Sequence, residues 1–173
     1  TYHRVTIEDA EKGKKGCVLL KEQRRTHPII VAPLNHLMYK GVLTNHPQTL
    51  YAPPIAPLPA CPLLLVDTSK AQDSKTCKPS VGQARTNVHH VQVVVALVPQ
   101  ILATLPKLPS SADLHRPRIG ILAPYRSQVQ LIRQALEKAG LAQYVHVGTV
   151  HTVQSLEFEV VIFDTVEAPG MQP

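Results

Sequence analysis

Residues 119–140, IGILAPYRSQVQLIRQALEKAG, switch periodicity part-way along. Ile119 to Leu122 is an unbroken apolar run of strand length. After Pro124 the apolar side chains return at Val129, Ile132, Leu136 and Ala139, one face of a helix, and Gly140 suits the left-handed turn just past a helix end. A strand passing straight into an amphipathic helix is half of a parallel crossover unit.

The flanking sequence repeats that alternation. Downstream, Val145 to Val150 and Val160 to Phe163 are strand candidates, the second followed directly by Asp164. Upstream, across a Pro/Ser linker at 106–117, VQVVVALV at 91–98 is β-branched enough to be a strand. Its spacing argues against that: Val91, Val94, Val95, Val98, Ile101, Leu102 and Leu105 follow one helical face, Thr86 or Asn87 can cap it, and Pro99 predicts a kink. LLLVD at 63–67 predicts a buried strand, and the polar run 68–85 a long loop. The six prolines between residues 44 and 62 forbid regular helix and favour extended loop. His27 to Gly41 carries Ile30, Leu34 and Leu37 at helical spacing; Pro33 limits where that helix can begin, since an interior proline costs ~3 kcal/mol. Residues 1–22 are polar and lysine-bearing and read as a connection. Strands alternating with helices predict an α/β fold, a mostly parallel sheet flanked by helices.

Composition bounds the function. A chain of 173 residues, 44% hydrophobic, suits one domain; 4% aromatic and no Trp make the core aliphatic, as in a buried parallel sheet. The net charge of +6 favours polyanionic partners without deciding among them. Cys17, Cys61 and Cys77 are odd in number and far apart, which predicts neither a disulfide framework nor a zinc site. His89 and His90 lack a carboxylate or cysteine at ligand spacing, so no metal is expected there. No signal peptide or membrane span is legible, which predicts a soluble intracellular protein, cytoplasmic or nuclear, without a membrane partner. Neither G-x-x-x-x-G-K-[ST] nor G-x-G-x-x-G occurs, so the chain has no triphosphate cradle of its own; G-x-S-x-G is absent too.

Four stretches in order carry a resemblance. They are LKEQRRTHPII at 20–30 with MYKGVL at 38–43; LLLVDTSKA at 63–71 followed by Ser80 and Asn87; IGILAPYRSQVQLI at 119–132; and VGTVHTVQSLEFEVVIFDTV at 147–166. Together they resemble the second RecA-like domain of superfamily 1 helicases of the Upf-like group, which includes the nonsense-mediated decay RNA helicase. The resemblance implies a RecA-like P-loop NTPase fold present as an incomplete second lobe, with residues 1–19 the inter-lobe connection and 20–173 the partial lobe. It also implies a chain that stops before the family's final arginine motif and begins after its phosphate loop.

In that family ATP with Mg2+ is held mainly by the first lobe, which is missing here, and the second lobe lends charge. On the resemblance, Arg25 reaches the γ-phosphate, where an arginine finger is worth ~10³ to 10⁵ in rate. Gln23 bonds near the nucleotide, Glu157 contacts it as an acceptor for a ribose hydroxyl, and Gln154 couples nucleotide state to the bound strand. These side chains are expected to converge at one rim of the sheet. Single-stranded DNA or RNA falls to the strand-end loops at Pro124 to Gln128 and Thr149 to Thr152, because ligands of open α/β sheets gather beyond the carboxyl ends of strands. Arg126 and Gln128 lie in the first of these loops; Arg126 pairs with phosphate, Thr149 and Thr152 donate hydroxyls, and Tyr125 or His151 stacks on sugar or base. Arg24 stands where the family has an adenine-packing tyrosine, and an arginine plane can stack in its place. Ser155 replaces a glycine and is strained if its φ is positive. The function implied is the second motor lobe of an ATP-dependent helicase, a hydrolase acting on ATP, inert when isolated. The alternative is a degenerate, non-catalytic module that keeps nucleic-acid or protein binding.

Overall fold

The computed structural model describes residues 8–9, 12–13, 18–50, 61–71, 85–106 and 117–167. Most of the expected connection at 1–19, the proline-dense run 51–60, most of the 68–85 loop and of the 106–117 linker, and Cys17, Cys77 and Ser80 lie outside them. The chain forms two compact units, Thr1–Pro54 with Leu58–Leu65, and Ile55–Pro57 with Val66–Pro173.

In the first unit β1 (Glu22–Gln23) pairs in parallel with β2 (Thr44–Asn45), on either side of α1 (Pro28–Tyr39). His27 caps α1 by accepting the Ile29 N–H at its Nδ1 (3.2 Å), and Pro28 occupies a first-turn position where no N–H is needed. The helix starts earlier than Pro33 suggests and runs through it, giving up one backbone bond. It ends through Lys40 (φ 52°) and Gly41 (φ 80°), and the Asn35 amide then ties it to Leu43 with two 3.0 Å bonds. The spacing of Ile30, Leu34 and Leu37 predicts a helix correctly but not its burial. They are 42%, 48% and 76% exposed, and Val31 is the buried residue of the helix. LLLVD is likewise no strand: Leu63 to Val66 are exposed and unpaired with any strand among the described residues. An apolar run specifies desolvation, but a strand also needs a neighbour for its backbone, and at Asp67 the chain turns, its carboxylate accepting the Ser69 N–H at 2.8 Å.

The second unit holds α2 (Val88–Thr104), β3 (Ile119–Leu122), α3 (Arg126–Lys138), β4 (Val145–Gly148) and β5 (Val160–Phe163). The sheet order is β4-β3-β5 and every pairing is parallel. The fold is α/β with parallel strands flanked by helices, as the alternation predicts. Asn87 caps α2, its Oδ1 accepting the His90 N–H at 3.1 Å, and the helix continues across Pro99. Along β3 and β4 the two-residue period sends Ile119, Ile121, Val145 and Val147 to one face, where they meet Val94, Val98 and Ile101 of α2 and Val129, Ile132 and Leu136 of α3. Burying a side chain of this size is worth about 1.5–3 kcal/mol, so this aliphatic layer dominates the unit's stability.

The opposite face is organised by a glycine. The Phe158 ring lies where a Cβ on Gly120 would be and stacks on His146, centroids 5.8 Å apart, so the return segment from β4 to β5 crosses directly over β3. Beyond it Val161 and Phe163 of edge strand β5 are exposed. Glu159 then ties the start of β5 to Arg118, whose guanidinium donates to both carboxylate oxygens, 2.6 Å at Oε2, and also to the Pro106 carbonyl at 2.6 Å. Among the described residues no helix is long and apolar enough to cross a membrane.

Candidate nucleic-acid interface

The register pairs Leu122 with both Gly148 and Phe163, so the carboxyl ends of β3, β4 and β5 finish level. Three turns therefore gather along one edge of the sheet. The turn after β3 presents Pro124 and Arg126 exposed, with Tyr125 half-buried at the start of α3 and Arg126 as its first residue. The turn after β4 presents Thr149, His151 and Thr152, the last two exposed. Gly148 permits this turn, because a Cβ there would sit 2.6 Å from Thr152 Oγ1 and 2.9 Å from Val153 Cγ1. Thr152 donates its hydroxyl to the Thr149 carbonyl at 2.9 Å, so its proton already serves the turn.

Gln128 does not face this edge. It is fully buried, and its amide is committed on both sides: Nε2 donates to the Asn87 carbonyl (3.0 Å) and to Asp164 Oδ2 (2.7 Å), and Oε1 accepts the Asn87 N–H (2.8 Å). Its place as the third residue of α3 points it inward with Val129 and Ile132, the face opposite to Arg126.

Gln128 belongs to a network that spacing does not reveal. Asp164, buried at the end of β5, accepts from Gln128, from the Val166 N–H (2.8 Å) and from His90 Nδ1 (2.7 Å); the other ring nitrogen of His90 lies 2.9 Å from Thr68 Oγ1. His90 is thus held by a carboxylate and a hydroxyl, and among the described residues no three His, Cys, Asp or Glu side chains group as metal ligands. Asn87 Nδ2 donates to the Val166 carbonyl at 3.2 Å. No buried side-chain polar atom among the described residues lacks a partner, which is the condition under which such a network rigidifies rather than weakens a core.

At the third turn Glu167 accepts from Arg85 Nη1 (2.7 Å) and from the Tyr125 hydroxyl (2.8 Å), while Ser127 Oγ donates to the Arg85 carbonyl (3.1 Å). The Arg85 guanidinium, and after it the Tyr125 hydroxyl, hold the Glu167 carboxyl below the usual carboxylate range. Arg85 and Glu167 are missed by sequence reasoning because they stand 82 positions apart and match no motif.

The residues expected at the nucleotide divide between the units. Gln23 ends β1 in the first unit, and Arg24 and Arg25 lie on the turn after it. The Gln23 amide builds that turn, accepting the Arg25 and Thr26 N–H groups (3.1 and 2.9 Å) and donating to the Thr26 carbonyl and Asn45 Oδ1 (2.6 and 2.8 Å). Arg25 is thereby presented on the exposed side, and Arg24 pairs with Glu22 at 2.7 Å. Gln154 and Glu157 lie in the second unit, both exposed, Gln154 in the far part of the turn after β4 and Glu157 on the segment that returns to β5. Between them Ser155 adopts φ 71°, the strain anticipated for a serine in a glycine position.

A family model described as "AAA domain" matches residues 3–172. DNA-binding protein SMUBP-2 of Mesocricetus auratus is 28% identical over 172 residues, 91% of this chain and 16% of its own length. The same-named protein of Mus musculus is 28% identical over 175 residues, 92% of this chain and 16% of its own. Putative helicase mov-10-B.2 of Danio rerio is 26% identical over 155 residues, 83% of this chain and 15% of its own. The chain spans about a sixth of the length of these relatives.

Proposed function

Because the chain belongs to the AAA domain family whose model covers residues 3–172, we propose that it is the second motor lobe of an ATP-dependent superfamily 1 helicase of the Upf-like group, gripping single-stranded DNA or RNA. On this reading residues 1–19 connect it to a first RecA-like lobe, 20–173 are the partial second lobe, and it works in the cytoplasm or nucleus. The observation that carries the reading is the level finish of three parallel strands, which lines up Tyr125, Arg126, Thr149, His151 and Thr152 on one edge. Such an edge is where open α/β sheets take their ligands. The names of the relatives, a DNA-binding protein and a putative helicase, point the same way.

The roles follow from chemistry. Arg126 meets a phosphate as a fixed cation and Thr149 offers a hydroxyl, while Tyr125 and His151 pack against sugar or base; none of these reads sequence. Arg25 stabilises negative charge on the γ-phosphate, Glu157 accepts from the ribose, Arg24 and Gln23 shape the base side, and Gln154 links that region to the strand. ATP with Mg2+, held by the first lobe, supplies the phosphoanhydride whose hydrolysis drives movement.

The test is made in the full-length parent. Arg25→Ala is expected to lower strand-stimulated ATP turnover by ~10³ or more, with strand affinity nearly unchanged, as for loss of an arginine finger. Turnover within a few-fold of wild type ends the motor reading. A degenerate binding module is favoured by two observations, the pairing of Arg24 with Glu22 and the strained Ser155; a parent that binds strands but shows no strand-stimulated turnover establishes it.

A further inference from the structure

Glu167 sits where a strand-binding edge has least use for a carboxylate. One of its oxygens is held by both the Arg85 guanidinium and the Tyr125 phenolic hydroxyl, at 2.7 and 2.8 Å, where the turn after β3 leads into α3. A cation and a neutral O–H donor converging on one anionic oxygen is the arrangement that also binds a phosphate oxygen. We propose that Arg85 and Tyr125 form a phosphate seat on this edge and that Glu167 is its built-in occupant, a carboxylate that a nucleic-acid phosphate must displace. The proposal rests on the nucleic-acid reading above and deepens it, adding Arg85 as a binding residue and Glu167 as the group that opposes binding.

Two features support it independently of the contact itself. Val166 places Glu167 there in a backbone conformation, φ 67°, that a β-branched residue disfavours. The strain is held from both sides, the Val166 N–H by Asp164 Oδ1 and its carbonyl by Asn87 Nδ2, both of them buried side chains. Backbone kept against its preference by a built network marks a segment whose aim matters. Second, the clasp can be displaced. The Arg85 and Glu167 side chains are 31% and 39% exposed, and ion pairs this open contribute little to stability, so an incoming phosphate competes on even terms. Ser127 holds the backbone carbonyl of Arg85, so the residue's backbone stays anchored beside the start of α3 when the carboxylate leaves.

The experiment is fluorescence anisotropy of a labelled oligothymidylate titrated with the 173-residue chain across a range of salt concentrations. Glu167→Gln is expected to bind about fivefold tighter at low salt, with the log-affinity against log-salt slope steeper by about 0.7, one more phosphate neutralised. Arg85→Gln added to Glu167→Gln should return the slope to that of wild type. Glu137→Gln makes the same change in net charge near the far end of α3 and should shift affinity less than twofold. Glu167→Asp, with a shorter reach and the charge kept, should fall between wild type and Glu167→Gln and guards against misfolding of the first variant. Strand binding by wild type with Glu167→Gln indistinguishable from Glu137→Gln overturns this inference and leaves the nucleic-acid reading standing. No strand binding by any of the proteins at low salt overturns both.

Discussion

The turns that follow β4 and β5 use the same uncommon backbone and support it in opposite ways. Ser155 and Val166 are both non-glycine residues at positive φ, 71° and 67°. Ser155 is exposed in a turn stitched by local bonds such as Leu156 N–H to the Val153 carbonyl at 3.0 Å. Val166 is fully buried, bracketed by Asp164 and Asn87 and through them by Gln128 and His90. A conformation costing of order 1–3 kcal/mol is tolerated in the first place because little else constrains it, and in the second because everything around it does. The lesson is that strain by itself says little; what bonds to its two flanking amides says whether the turn can move.

That contrast can be broken most forcefully at Asp164. Asp164→Ala strands three buried donors at once, and urea unfolding of the second unit should show a loss of about 3–5 kcal/mol. A loss under about 1 kcal/mol would mean the network decorates the turn rather than holding it. The next effect is one substitution with opposite signs. Val166→Gly relieves strain but removes a fully buried side chain worth about 1.5–3 kcal/mol and adds chain entropy, for a net loss of about 1–2 kcal/mol. Ser155→Gly gives up no buried surface and should raise stability by about 0.5 kcal/mol in the same measurement. Equal signs at the two positions would erase the distinction.

The smallest effect sharpens the comparison at the outer end of the buried turn. Interactions with Arg85 and Tyr125 lower the Glu167 carboxyl, so its stabilising contribution is complete above the ordinary value of 4.5 and is lost as pH falls through the lowered folded value. Thermal unfolding of wild type and Glu167→Gln should differ by a constant amount at neutral pH, and the gap should close only on acidification below 4.5. A gap that changes between pH 6 and 8, where a carboxylate so placed does not titrate, would assign the difference to another group.

Much of the second unit was legible in advance because its signals are local. The apolar face of α2 outweighed its β-branched composition, Asn87 capped it, and Gly140 (φ 69°) follows α3 as the left-handed residue past its end. Each misreading has a physical cause. LLLVD is apolar enough to be a buried strand, but burial requires an opposing surface, which a pattern in one segment does not contain. Gln128 carried a motif-derived expectation of strand contact; its helical phase puts it instead among Val129 and Ile132, where Asn87 and Asp164 were waiting.

Sequence alone determined which segments become strands and helices in the second unit, that the sheet is parallel, and where the chain must turn, since periodicity, caps and glycines act over a few residues. Tertiary structure decided what meets at the strand ends: Arg85 with Glu167 and Tyr125, and His90 with Asp164 and Gln128. Those pairings join positions 36 to 82 residues apart, and only the parallel pairing of β4 and β5 on either side of β3, with α2 and α3 packed on one face, brings them within hydrogen-bond reach.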